Sequence, residues 1–218
     1  MKSAKIDIFQ NHIINWFGEN GREFYWRKNN SPYIILISEL LLKRTNSRLV
    51  ENNIEYFLSK YGSFEDIYDS PLEELILYLK PMGLYNQRAV SMKKLSINLI
   101  EEYKGEIPAQ KEDLLKLPGV GGYTAGAVRV FGFGLKDSMV DSNVARLLSR
   151  VFNLVSGKKD PRRNKDIIET SKKVTPLENY KEFWWGVLDF GALVCKARNQ
   201  KCLICPLQNM CNYYKNNH

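Results

Sequence analysis

The chain has 218 residues, 44% hydrophobic and 26% charged, enough to bury a sizeable core. Thirty-two Lys and Arg against 24 Asp and Glu leave a net charge of +8 and a pI near 9.2, a surplus that favours an anionic partner, either nucleic acid or an acidic membrane surface. The opening MKSAKIDIFQ has no apolar signal segment, the best apolar run (34–42) is broken by Ser38 and Glu39, and two histidines, His12 and His218, exclude multi-histidine metal sites, so a soluble cytoplasmic protein is expected.

Apolar residues recur mostly at helical spacing, without a convincing run of strand alternation. The pattern predicts helices over 4–17, 33–44, 47–61, 71–79, 85–103, 111–116, 122–133, 142–154, 163–173 and 178–195. Pro32, Pro71, Pro108 and Pro118 sit at or just before helix starts, where a missing amide donor costs little. The fold class expected is all-α. Charge is uneven: residues 63–79 carry Glu65, Asp66, Asp69, Glu73 and Glu74 and no base. Lys196, Arg198, Lys201 and Lys215 stand in 196–218 with no acid, and Lys158, Lys159, Arg162, Arg163, Lys165, Lys172 and Lys173 crowd 158–173. One such run is often only a solvated helix face; a sided distribution over the whole chain suits a polyanion.

Four groups of residues carry chemistry. Glu39 lies in an apolar stretch where desolvation favours the protonated form of a general acid, or else forms a surface pair with Lys43 at i,i+4. Leu117-Pro118-Gly119-Val120-Gly121 reads as a tight turn between two helices. Its glycines permit positive φ and close backbone approach, and its amides can meet an anion, although a bare helix–turn–helix corner would look the same. Val140-Asp141-Ser142-Asn143-Val144 follows, with Asp141 or Ser142 placed to cap the next helix. Last, Cys195, Cys202, Cys205 and Cys211 fall within 17 residues as C-x6-C-x2-C-x5-C, pointing to metal rather than disulfides. Spacing alone leaves structural zinc and a [4Fe–4S] cluster both open.

Taken in order, LPGVGGYTA, VDSNVARLLSRVF and the four-cysteine loop resemble the helix–hairpin–helix DNA glycosylases of the endonuclease III branch, over roughly residues 22–211. The segments around Tyr25-Trp26-Arg27, Ser31-Pro32-Tyr33 and Ile37 to Thr45 resemble archaeal thymine or uracil mismatch glycosylases and adenine glycosylases. Gly83-Leu84-Tyr85 with Arg88-Ala89 matches a family segment near the lesion strand. The resemblance implies a two-lobed fold: a helical barrel over 29–136 ending in the hairpin, and a second lobe joining 1–28 to 137–218 around a [4Fe–4S] cluster on Cys195, Cys202, Cys205 and Cys211. It implies double-stranded DNA with a mismatched or damaged base as partner, bound over a cleft between the lobes by a monomer.

By the same resemblance Asp141 is the carboxylate that supports N-glycosidic cleavage, and Glu39 is an acid in the base pocket. Arg44 fills the gap left by a flipped base, while Gly119, Gly121, Lys196, Arg198 and Lys201 meet the DNA backbone. Bifunctional members carry a lysine where Tyr123 stands, so hydrolysis without strand cleavage is expected, with Tyr123 either catalytic or only packing. The chain ends seven residues after Cys211. The C-terminal domain with which adenine glycosylases check for 8-oxoguanine is therefore expected to be missing, which favours thymine or uracil opposite guanine. A truncated adenine glycosylase and a non-catalytic DNA-binding iron–sulfur protein are the alternatives.

Overall fold

The structure is a computed structural model that describes residues 3–154 and 160–217; Lys158, Lys159 and His218 lie outside the described residues. In chain order its α-helices are α1 (Ser3–Asn20), α2 (Tyr25–Lys28), α3 (Pro32–Leu42), α4 (Ser47–Lys60), α5 (Phe64–Asp69), α6 (Leu72–Leu79), α7 (Tyr85–Tyr103), α8 (Lys111–Leu114), α9 (Gly122–Ala127), α10 (Ser142–Phe152), α11 (Lys165–Val174), α12 (Tyr180–Leu193) and α13 (Asn212–Asn217). No strand occurs among the described residues, and none of the helices described is long and apolar enough to cross a membrane. The contacts divide the chain into two compact units, Glu23–Leu135 and Met1–Arg22 with Lys136–His218.

The Glu23–Leu135 unit is built around α3. Ser31 caps it by accepting from the Ile34 amide, with Pro32 at the first helical position. Seven consecutive residues, Ile35 to Leu41, are buried, so the helix is covered on every side. α4, α9 and a π-turn at Val128–Gly132 pack against it. The sequence predicts one helix over 122–133; instead α9 ends at Ala127 and widens into that π-turn. A Cβ at Gly132 would lie 2.7 Å from Pro32 Cα, so the bare backbone is what lets this turn reach the start of α3. The predicted helix over 33–44 also ends early, at Leu42: Lys43 turns out of the helix with ψ 111°, and Arg44 follows in a left-handed φ of 59°. α5, opened by a Ser63–Asp66 capping box, packs with α6 on α7.

The other unit centres on α12, with α1 and α10 packed on it. Phe9 meets Phe152 and Phe183 edge-on at 5.3 and 5.9 Å, and Trp16 meets Phe190 at 5.0 Å. Gly186 admits α1: a Cβ there would stand 2.8 Å from Ile13 Cγ2. Asp189, fully buried, accepts from the Arg22 amide at 2.8 Å and from its guanidinium at 2.6 and 2.9 Å, which pins the end of the first segment to α12.

Candidate functional site

In the hairpin, α8 ends and the Val120 amide closes a turn on Leu117 O at 3.1 Å, both side chains being buried. Gly119 has φ +80°, a conformation that favours glycine. Gly121 does not share it: its φ is −106°, and it stands as the N-cap of α9 with no side chain capping the helix. A Cβ at Gly121 or Gly122 would meet nothing within 4 Å. Packing inside the chain therefore does not require glycine at these two positions, whereas close approach of an outside group to the uncapped first-turn amides does. Ala125 and Ala127 are fully buried behind the turn, and Tyr123 on the first turn of α9 is half-buried.

The end of α3 meets this hairpin. Lys43 Nζ donates to Gly119 O at 2.5 Å; desolvation lowers its pKa while the Glu39 carboxylate pulls it back up. Glu39 itself is only 9% exposed, so it is not the surface partner that an i,i+4 pair implies. At the end of α3 opens a cleft of about 220 Å³ lined by Leu40, Lys43, Arg44, Leu84, Arg88 and Gly119, among others. Arg44 and Leu84 line this cleft in left-handed conformations, φ 59° and 51°, and both are solvent-exposed. A left-handed residue other than glycine costs roughly 1–2 kcal/mol, so the surroundings must hold both in place.

In the other unit Asp141 caps α10, accepting from the Val144 amide at 2.7 Å through Oδ1 and from Asn143 Nδ2 at 3.2 Å through Oδ2. Protein packed around the carboxyl raises its pKa above the ordinary aspartate value. Hydrogen bonds from Val144 and Asn143 and the charge of Arg146 oppose that rise without cancelling it. Asn143 is oriented in turn by Arg146, whose Nη2 donates to Asn143 Oδ1 at 2.9 Å and Gly191 O at 2.8 Å, and whose Nε donates to Cys195 O at 2.8 Å. Sequence reasoning missed Asn143 and Arg146; their only local signal is a position two and five residues after the carboxylate.

All four cysteines are free thiols lining one apolar cavity with Arg150, Leu207 and Tyr213. Arg150 donates to Lys196 O at 2.7 Å and to Cys195 Sγ at 3.4 Å, and lies over the Tyr213 ring. Burial pushes the Cys205 thiol up to about 12 and also raises Cys202. Four thiolates could share this cavity only with compensating positive charge. No group of three or more His, Cys, Asp or Glu side chains poised to hold a metal ion occurs among the described residues. Arg198 and Lys201 on the loop are exposed and Lys196 is half-buried.

Residues 37–174 match the family model for the HhH-GPD superfamily of base excision DNA repair proteins. The chain is 36% identical to the thymine/uracil-DNA glycosylase of Methanothermobacter thermautotrophicus, over 98% of this chain and 96% of that protein. It is 32% identical to the adenine DNA glycosylase of Buchnera aphidicola subsp. Baizongia pistaciae, over 96% of this chain and 59% of that protein. Among solved structures, a thermostable thymine-DNA glycosylase superposes with a TM-score of 0.93 at 36% identity, covering 98% of each chain.

Proposed function

The chain belongs to the HhH-GPD superfamily of base excision DNA repair proteins, and we propose that within it this protein is a monofunctional DNA glycosylase that removes thymine or uracil mispaired with guanine. The observation that carries the substrate is end-to-end similarity, in sequence and in fold, to thymine and thymine/uracil glycosylases. A second reading, adenine removal, draws on the 32% identity to an adenine glycosylase and on buried Glu39, which could protonate a purine ring nitrogen.

In the proposed reaction the target nucleotide leaves the stack and Arg44 and Leu84, at the rim of the basic cleft, enter the gap. The N–C1′ bond breaks, the pyrimidine departs as an anion, and the ionised Asp141 carboxylate stabilises the oxocarbenium-like charge at C1′ while water adds there. Tyr123 offers a phenol and no amine at the hairpin position, so no Schiff base forms and the abasic strand stays intact. A U·G duplex incubated with the protein should break only after added alkali, and borohydride should trap no covalent adduct. Trapping by the unmodified protein would mean that another lysine attacks C1′ and that the monofunctional reading is wrong. Tyr123→Lys is expected to introduce trapping.

The four thiols line one apolar cavity, a donor set that suits a polynuclear iron–sulfur group in which each thiolate takes its own iron. Cys195, Cys202, Cys205 and Cys211 would hold it. When bound, it supplies the positive charge that keeps buried thiolates ionised and the loop folded. That loop presents Arg198 and Lys201 to phosphates. Lys201→Glu should weaken all duplexes alike and flatten the slope of log affinity against log salt by about one. Altered base preference at unchanged affinity would contradict this role.

A further inference from the structure

We propose that Arg88 is the positioning residue that sets the wedge, holding Arg44 and Leu84 in the conformations that enter DNA; the proposal rests on the base-flipping reading of the cleft. Arg88 sits in the first turn of α7 and is 6% exposed, too buried to make contacts to a duplex itself. Its fork joins two turns far apart in the chain. Nη2 donates to Lys43 O at 2.8 Å and Thr45 Oγ1 at 2.5 Å, on either side of Arg44. Nη1 donates to Met82 O at 2.8 Å and to Gly83 O, just before Leu84. Thr45 Oγ1 closes the ring by donating to Met82 O at 3.2 Å, and the Arg88 amide donates to Leu84 O at 2.9 Å.

The arrangement is directed at the turns. Lys43 O and Thr45 Oγ1 flank Arg44, and Met82 O and Gly83 O lie in the two residues before Leu84; both left-handed residues are exposed on the cleft rim. The Arg88 Nε is buried without a partner, so the guanidinium leaves one donor unsatisfied while its two terminal nitrogens span the gap. Lysine cannot substitute, since a single ammonium presents no planar fork able to face both turns at once.

The test compares the native chain with Arg88→Lys and with Thr45→Val, which removes one acceptor from the ring and leaves the Arg88 guanidinium in place. A duplex carries 2-aminopurine beside a U·G mismatch, and the same variants are assayed on uracil in that duplex and uracil in an unpaired bubble. Binding of the native protein should raise 2-aminopurine fluorescence as the step unstacks. Arg88→Lys should bind the duplex to within about threefold, because phosphate contacts are untouched, yet lose most of the fluorescence rise. Its excision should fall about a hundredfold on the duplex and little on the bubble, where no stacking has to be broken, with Thr45→Val between. A purely structural role would lower both substrates together with melting temperature. Equal losses on duplex and bubble, or a fluorescence rise undiminished in Arg88→Lys, would overturn the proposal. So would a native protein that leaves the step stacked. Native protein that unstacks the step but excises nothing would sink the glycosylase reading alone, and the fluorescence comparison would still decide the role of Arg88.

Discussion

Asp141→Asn is expected to lower excision by about 10³-fold, the scale seen when preorganised transition-state charge stabilisation is removed, while leaving lesion binding intact. It should not lower stability. Asparagine caps helices as well as aspartate, so the bond from the Val144 amide survives. The sign of the pKa shift predicts more. A carboxyl whose folded pKa lies above its unfolded value disfavours folding when ionised. That cost is full above the folded pKa and vanishes as pH falls below the unfolded one. At neutral pH the asparagine variant should therefore melt at or above the native temperature, as expected where function requires a charge the fold would rather lack. The same elevation means that native excision declines as pH falls at a value above the ordinary aspartate range. Loss of melting temperature alongside activity would show that Asp141 is mainly structural.

Cys202→Ser should have the second largest effect. The purified native protein is expected to be brown and to hold about four irons per chain; a colourless protein with one zinc would contradict the cluster. Without its cluster the 195–211 loop is left with anchors such as buried Leu207, the Arg150 bond to Lys196 O, the Arg146 bond to Cys195 O, the Lys201 amide bond to Val194 O and the Gln200 bond to the Tyr213 hydroxyl. We expect iron loss, weaker DNA binding, and a melting temperature lower by about 10 °C, which for a chain of this size corresponds to a few kcal/mol. Because Arg146 links Cys195 O to Asn143 and Asn143 to Asp141, slower excision on the remaining bound DNA should accompany loop loosening. Calorimetry, iron analysis and single-turnover rates on one preparation measure all of these.

Helix existence was readable wherever an apolar stripe is long, and the bounds of α7 coincide with the periodicity at 85–103. α2 has four residues, too few to show a period, and α13 is a polar end segment. α5 carried a legible signal, Ser63 three residues before Asp66, hidden by reading the segment only as an acidic run. Two departures have distant causes. Nothing in Leu-Leu-Leu-Lys-Arg-Thr stops α3 at Leu42; Arg88, 45 residues after Lys43, holds the turn that does. The π-turn after α9 depends on Gly132 meeting Pro32, a contact a hundred residues apart in sequence. At the site, Asp141 as a cap and the cysteines around one cavity follow from local pattern. The Arg88 fork and the Arg146 bonds do not, because their acceptors are backbone carbonyls that no residue type announces.

The substrate is tested most directly by one side-by-side measurement, base release from T·G, U·G, A·G and A·8-oxoguanine duplexes with Glu39→Gln in parallel. Pyrimidines leave as anions and depend on carbocation support more than on ring protonation. The native protein should therefore empty T·G and U·G, leave both adenine duplexes intact, and keep much of its activity when Glu39 is replaced by Gln. Release confined to the adenine duplexes and abolished by Glu39→Gln would contradict the pyrimidine reading and make the protein an adenine glycosylase.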